Sequence, residues 1–221
     1  MAKENKKEEL ENIDTLKYEK ELTLSGYKYI CGADEAGRGP LAGPVYAAAV
    51  ILDPNNPIEG LNDSKKISEK KREKLFDEII EKALSWSIAF VDEKEIDEIN
   101  ILEASMLAMK KSIESLEVKA DYALIDGNKT PNLSIDSEAV IKGDALCQSI
   151  SAASILAKVA RDKYMLKLDE EYPMYNFKKH KGYPTKEHYI AILKNGISPC
   201  HRKTFLKNLD EKRKKYAEEI K

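Results

Sequence analysis

The sequence predicts a mixed α/β domain, and three observations point there. Val45-Tyr46-Ala47-Ala48-Ala49-Val50-Ile51-Leu52 is an apolar run typical of a fully buried strand, and Leu75, Phe76, Ile79, Ile80 and Ala83 recur at helical spacing. Residues 145 to 168 form a long stretch in which Ala152, Ala153, Ala157 and Ala160 interleave with Ile150, Ile155, Leu156 and Val159, a helix able to approach a sheet closely. With 221 residues, 42% of them hydrophobic, the chain can bury one sizeable core or two small ones.

In chain order, residues 1 to 22 are rich in Lys and Glu and read as a solvated helix or a frayed tail. Tyr27-Lys28-Tyr29-Ile30-Cys31-Gly32-Ala33 is β-prone and opens the core, and a glycine-rich turn separates it from the buried run at 45 to 52. Asp53-Pro54-Asn55-Asn56-Pro57 breaks the chain before the helix marked by Leu75 and Ile79. Residues 84 to 91 alternate well enough for a third strand, and Met106, Met109, Ile113 and Leu116 mark a following helix in which the methionines are core. Tyr122-Ala123-Leu124-Ile125 and Ala139-Val140-Ile141 resemble strands, the first ending in Asp126-Gly127 and the second leading into Lys142-Gly143-Asp144. After the small-residue helix, residues 185 to 195 read as a helix capped by Thr185 and stopped by Gly196, and a last helix follows Pro199.

Composition narrows the function classes. Lys+Arg is 37 and Asp+Glu is 39, so the net charge of −2 supplies no global attraction to nucleic acid or membrane. Charge is unevenly spread, however: residues 174 to 215 hold 12 basic and 3 acidic side chains. No apolar stretch follows the N-terminus as in a signal peptide, and no window reaches the length of a membrane span, so a cytoplasmic location is expected. Cys31, Cys147 and Cys200 lack CxxC spacing and read as free thiols.

Chemistry concentrates in Gly32-Ala33-Asp34-Glu35-Ala36-Gly37-Arg38-Gly39-Pro40-Leu41-Ala42-Gly43, which places two carboxylates and four glycines at the exit from a strand. Glycine lets backbone N–H groups approach a ligand, so such a loop beside two acids can hold a metal together with a phosphate or sugar. A tight hairpin turn with two solvated acids is the competing account. The phosphate-binding P-loop is excluded, because Arg38 and Gly39 stand where Lys and Ser or Thr are needed. Asp126 and Asp144 also follow predicted strands, and ligand sites in α/β sheets collect where strands end. An all-oxygen donor set without His or Cys favours Mg²⁺ or Mn²⁺ over zinc. His180, His188 and His201 have no metal-ligand spacing and read as structural or surface residues. Around them, Tyr175-Asn176-Phe177-Lys178-Lys179-His180-Lys181-Gly182-Tyr183-Pro184-Thr185 alternates rings with cations, either as a nucleic-acid surface or as a charged loop with its rings tucked into the core.

Seven segments in order resemble bacterial ribonuclease HII, of the type 2 ribonuclease H family: the glycine-rich run from Gly32, Leu-Asn-Asp-Ser-Lys-Lys from Leu61, Ile-Asp-Gly from Ile125, Lys-Gly-Asp from Lys142, Ser-Ala-Ala-Ser-Ile-Leu-Ala-Lys from Ser151, His-Lys-Gly-Tyr from His180 and Ser-Pro-Cys-His-Arg from Ser198. The resemblance implies a ribonuclease H-like mixed five-stranded sheet flanked by helices, with a small helical C-terminal portion. The expected units are a charged tail or helix at 1–25, a catalytic core at 26–170 and a basic helical portion at 171–221 packed on it. It further implies an endonuclease that cuts the RNA strand of RNA/DNA hybrids and cuts 5′ of single ribonucleotides embedded in duplex DNA, in ribonucleotide repair and RNA-primer removal. On this resemblance Asp34, Glu35, Asp126 and Asp144 would be the catalytic acids and bind two Mg²⁺ or Mn²⁺ ions. Product would carry a 5′ phosphate and a 3′ hydroxyl.

The loop Gly37-Arg38-Gly39 would reach the 2′-hydroxyl that distinguishes RNA from DNA, and Tyr183 would contact the same hydroxyl and stack on the next deoxyribose. Lys65 would hold a backbone phosphate. The type III branch of these enzymes lacks a tyrosine there and carries a substantial extra N-terminal domain, whereas this chain has Tyr183 and a short tail. Leu146-Cys147 departs from the more polar residues expected after Asp144. A monomer is expected, and association with a sliding clamp stays open because Lys214-Lys215-Tyr216-Ala217-Glu218-Glu219-Ile220 is polar. Two other readings are a catalytically silent binder of RNA/DNA hybrids, which would not need four acids, and another metal-dependent phosphodiesterase, which would not need the 37–39 loop together with Tyr183.

Overall fold

The structure, a computed structural model, describes residues 14–61 and 67–220. Five strands, β1 (Ile30–Ala36), β2 (Val45–Ile51), β3 (Ser85–Val91), β4 (Tyr122–Asp126) and β5 (Asp136–Val140), form one mixed sheet of order β3-β2-β1-β4-β5. The first three pair antiparallel as a meander, and β4 and β5 add in parallel beside β1. This is the mixed five-stranded sheet flanked by helices that the sequence leads one to expect.

Strand alternation divides the core. Cys31, Ala33, Ala47, Ala49, Ala123 and Ile125 pack toward helix α4 (Ile101–Glu114), where Met109 is fully buried. On the other face, Ala48 and Val50 meet helix α2 (Glu69–Lys82) and the 24-residue helix α6 (Gln148–Glu171), which also covers Leu124 through Ile150. The small residues of α6 have a clear function. Gly32 lies so close beneath its first turn that a Cβ there would stand 2.1 Å from the backbone carbonyl carbon of Ser149. Only glycine on the strand permits that approach.

The C-terminal portion has its own small core at the far end of α6, in which Met165 and Leu168 meet Tyr175, Phe177, Tyr189 and Ile192. It contains α7 (Phe177–His180), α8 (Lys186–Asn195) and α9 (Leu209–Lys215). Thr185 caps α8 by accepting the His188 N–H, and Gly196 ends it at φ +85°, as expected. At the other terminus, α1 (Lys17–Leu24) buries none of its residues fully but leans Tyr18 and Leu22 against the core beneath α6. Cys31, Cys147 and Cys200 are free and buried.

Several expectations need correction. A helix α3 (Glu93–Ile99) precedes α4, with Asn100 at φ +70° between them and its side chain accepting the N–H groups of Leu102 and Glu103. Glu93-Lys94-Glu95-Ile96-Asp97-Glu98-Ile99 holds only two apolar residues, too few to show a period. The expected helix over 145 to 168 is broken: a four-residue α5 (Gly143–Leu146) ends at Cys147, which is extended, and α6 starts afresh at Gln148. The helix after Pro199 begins only at Leu209, behind a 3₁₀ turn at Lys203–Leu206. Among the described residues no helix is long and apolar enough to cross a membrane.

Candidate active site

The glycine-rich turn begins later than expected. β1 runs on through Ala36, so Asp34 and Glu35 are strand residues held by pairing to Ala48 and Ala47. On the other side β1 is in register with β4, Ala33 opposite Ile125. The next residue of each strand is an aspartate, so Asp34 and Asp126 leave neighbouring parallel strands at the same end of the sheet. By alternation both belong to the face covered by α6.

Asp34 is only 4% exposed. Burial pushes its carboxyl well above the usual range, and the charges of Glu35 and Asp126 push it further. A hydrogen bond with Ser154 and a 2.6 Å hydrogen bond from the Glu35 N–H act in the opposite direction. Glu35 is itself largely covered and pairs with Arg38 Nη1 at 3.4 Å.

Asp144 does not terminate a strand. β5 ends at Val140, Lys142 turns the chain at φ +60°, and Asp144 lies buried in the first turn of α5. From there its backbone N–H reaches Oδ1 of Asp126 at 3.4 Å. Charge coupling links Glu35, Asp34 and Asp126, and Asp144 joins them through its backbone N–H, so the four residues follow one another in a row. Among the described residues no three His, Cys, Asp or Glu side chains are drawn into a ready-made coordination shell. The fit to a divalent cation rests instead on an all-oxygen donor set in which a buried carboxyl is destabilised by two neighbouring acids.

Beside this row opens a cleft of about 250 Å³ lined by Glu35, Gly37, Gly39, Ser154, Lys158 and Tyr183, among others. The two sequence-predicted sugar contacts meet here: a Cβ on Gly39 would stand 3.6 Å from Cε1 of Tyr183. Tyr183 is 42% exposed, whereas Tyr175 and Phe177 are buried. The alternation of rings and cations over 175 to 183 is thus mostly core packing, and of its three rings only Tyr183 faces outward.

Two buried arginines shape the loop wall. Arg202 donates to the carbonyls of Gly37 (2.7 Å), Arg38 (3.1 Å) and Gly43 (2.8 Å from Nε). Arg161 donates to those of Ala42, Pro44 and Lys181 and lies 6.0 Å from the centre of the Tyr183 ring. Gly37, at φ +102°, passes so near Arg161 that a Cβ would stand 2.1 Å from Nε. Burial lowers both guanidinium pKa values, that of Arg202 to about 9, which leaves it charged at neutral pH.

Sequence reasoning did not single out Ser154, Lys158, Arg161 or Arg202. The first three carry a usable signal, since spacings of four and three put them on one face of the helix, where they interrupt its small and apolar N-terminal half. Arg202 closes the segment quoted from Ser198, but its role has no local signal, because its partners are backbone carbonyls distant in sequence. Lys65, the expected phosphate contact, lies outside the described residues.

A family model described as Ribonuclease HII matches residues 31–208. The chain is 54% identical over 199 residues to ribonuclease HII of Caldicellulosiruptor bescii, covering 90% of this chain and 97% of that one. It is 60% identical over 180 residues to ribonuclease HII of Vibrio parahaemolyticus, covering 81% and 85%. Among solved structures it is similar to ribonuclease H2 from Pyrococcus horikoshii, with a TM-score of 0.70 and 29% identity over 86% of this chain and 99% of that one. It is also similar to the ribonuclease HII of Archaeoglobus fulgidus, solved in complex with PCNA, with a TM-score of 0.67 and 26% identity over 80% and 94%.

Proposed function

The chain belongs to the ribonuclease HII family, enzymes that act on RNA/DNA hybrids, and from that premise we propose that it cuts duplex DNA on the 5′ side of single embedded ribonucleotides as well as the RNA strand of hybrids. One observation carries this reading: the row of acids ends in Glu35 at the edge of a cleft that the 37–39 loop and Tyr183, in contact with each other, also line. A scissile phosphate over the acids would place its ribose against the loop and the ring.

Asp34, Glu35, Asp126 and Asp144 would hold the divalent cations. The chemistry that two Mg²⁺ or Mn²⁺ ions supply when bound is Lewis-acid in kind, activation of the attacking water and stabilisation of the leaving 3′ oxygen in an in-line displacement. The chain's own groups do the rest. Ser154 and the Glu35 N–H hold the Asp34 carboxylate in one orientation, and Arg38 orients Glu35. With its carbonyls held by Arg202, the 37–39 loop has a fixed backbone to offer a 2′-hydroxyl. The Tyr183 ring would contact the same hydroxyl and stack on the following deoxyribose. Ends with a 5′ phosphate and a 3′ hydroxyl follow from attack by water without a covalent enzyme intermediate. The exposed basic residues between 174 and 215 would lie along the duplex backbone, reading charge and not sequence.

The test is a duplex assay. With Mg²⁺ or Mn²⁺ the purified chain should nick a DNA duplex at its one ribonucleotide, leaving a 5′ phosphate on the fragment that begins with it. The all-DNA duplex should stay intact, and equal cutting of both would sink the proposal.

A further inference from the structure

Three buried histidines take no part in the row of acids or the cleft beside it. His180, His188 and His201 are 7%, 0% and 1% exposed, and their partners leave one tautomer for each ring. The backbone N–H of Ser198 lies 3.1 Å from Nδ1 of His201 and can only donate, so that nitrogen accepts and the His201 proton sits on Nε2. His201 Nε2 faces His188 Nε2 at 3.1 Å, a contact that needs one donor and one acceptor. His188 therefore accepts there and carries its own proton on Nδ1, which lies 3.0 Å from the carbonyl oxygen of Tyr183. His180 stacks on His188 with centroids 4.4 Å apart. It is fixed in the same way, Nδ1 accepting from the Gly182 N–H and Nε2 donating to the Tyr175 carbonyl.

A one-way line of hydrogen bonds thus runs from Ser198 through His201 and His188 to Tyr183. Its origin is also the anchor of the glycine-rich loop that lines the same cleft. Gly43 donates to the carbonyl of Cys200, and Arg202 holds the carbonyls of Gly37 and Arg38. Because the Tyr183 ring projects into the open cleft, its aim depends on its backbone, which lies between Gly182 at φ +82° and Pro184. Besides His188, only the Thr185 N–H is seen to donate to the Tyr183 carbonyl among the described residues. Burial keeps the two relay rings neutral, His188 down to about 3 and His201 down to about 4, so both keep the acceptor nitrogens the line requires.

Resting on the reading of Tyr183 as the contact to the ribonucleotide junction, we propose that His188 and His201 are positioning residues that aim Tyr183 at the sugar, and that the 198–202 segment fixes Tyr183 and the 37–39 loop together.

Two measurements on the full chain test it. Nitrogen-15 imidazole spectra should show His188 protonated on Nδ1 and His201 on Nε2; the opposite tautomers overturn the relay. The second measurement is the ratio of cleavage at a single ribonucleotide in DNA to cleavage of a continuous RNA strand, which offers Tyr183 no following deoxyribose. In His188→Asn the side-chain amide stands where Nδ1 stood, so the ratio should stay within about twofold of wild type. His188→Gln puts its amide near the Nε2 position and His188→Leu has none, so each should lower the ratio about fivefold, the worth of one hydrogen bond. A merely structural role would lower both activities in parallel, and an unchanged ratio in Gln and Leu overturns the proposal. Tyr183→Ala separates the layers. If it leaves the ratio unchanged, the reading of Tyr183 as stacking on the following deoxyribose fails and the proposal with it; if it lowers the ratio while His188→Gln does not, only the relay fails. Should the Gln and Leu variants not fold, the wild-type tautomers still decide.

Discussion

Asp34 shows how much free energy a single site residue can concentrate. Its carboxyl is buried against Glu35 and Asp126, so its pKa is raised and the protonated form is the one the fold prefers. That contribution is complete below the ordinary carboxylate range and is lost as pH rises through the elevated value. Wherever the carboxyl carries its charge with no divalent cation beside it, Asp34 is therefore a destabilising element. Asp34→Asn makes the neutral form permanent. In the presence of a chelator it should melt about 2–4 °C higher than wild type, for a gain on the order of 1 kcal/mol. The difference should vanish as pH falls into the carboxylate range. The same variant should bind the hybrid duplex and fail to cut it, measured by gel shift and cleavage side by side. Surviving cleavage would remove Asp34 from the metal site.

Among the elements, α6 organises the molecule, since one face of it supplies Ser154, Lys158 and Arg161 to the cleft. Its N-terminus is capped from outside. Cys147 offers no capping side chain, and Oε1 of Glu19 in α1 accepts from the Ser149 N–H at 3.0 Å and from its hydroxyl at 2.7 Å. Glu19→Ala should cost about 1–2 kcal/mol in thermal unfolding, and Glu19→Gln, which keeps an acceptor, less than half of that. Gly32→Ala is the harsher change. The added carbon meets the backbone of α6 and not a movable side chain, so a loss of about 3 kcal/mol in a urea melt is expected. The elements also show what local pattern reveals. Strands β2 and β4 and the capped helix α8 were readable, because apolar run, alternation and Thr–Gly punctuation are local signals. The break at Cys147 and the helix Glu93–Ile99 were not, because the first falls where Cys147 packs with Ile30, Leu124 and Val140 and the second has almost no apolar period.

At the scale of the whole molecule, a net charge of −2 leaves any attraction to nucleic acid to local patches of basic residues. Part of the basic C-terminal charge is already paired, Lys178 with Asp169, Lys179 with Glu187 and Lys186 with Glu219. The remaining cations include the run from Lys212 to Lys215 at the end of α9. Replacing Lys214 and Lys215 with Gln should make the slope of log affinity against log salt shallower by about 0.9 for each phosphate that is no longer neutralised. The chemistry at a single ribonucleotide should stay unchanged once the duplex is saturating. An unchanged slope would place the duplex elsewhere. By itself the sequence determined the buried strands and the capped helix, because each is written in neighbouring residues, whereas the acids were joined into one set only by resemblance. Tertiary structure decided what those residues do together: the register that sets Asp34 beside Asp126, the turn that brings Asp144 to them from outside the strands, the burial that takes Tyr175 and Phe177 into the core and leaves Tyr183 at the cleft, and the Arg202 clamp. Each of these joins residues distant in the chain, and only close packing brings such residues together.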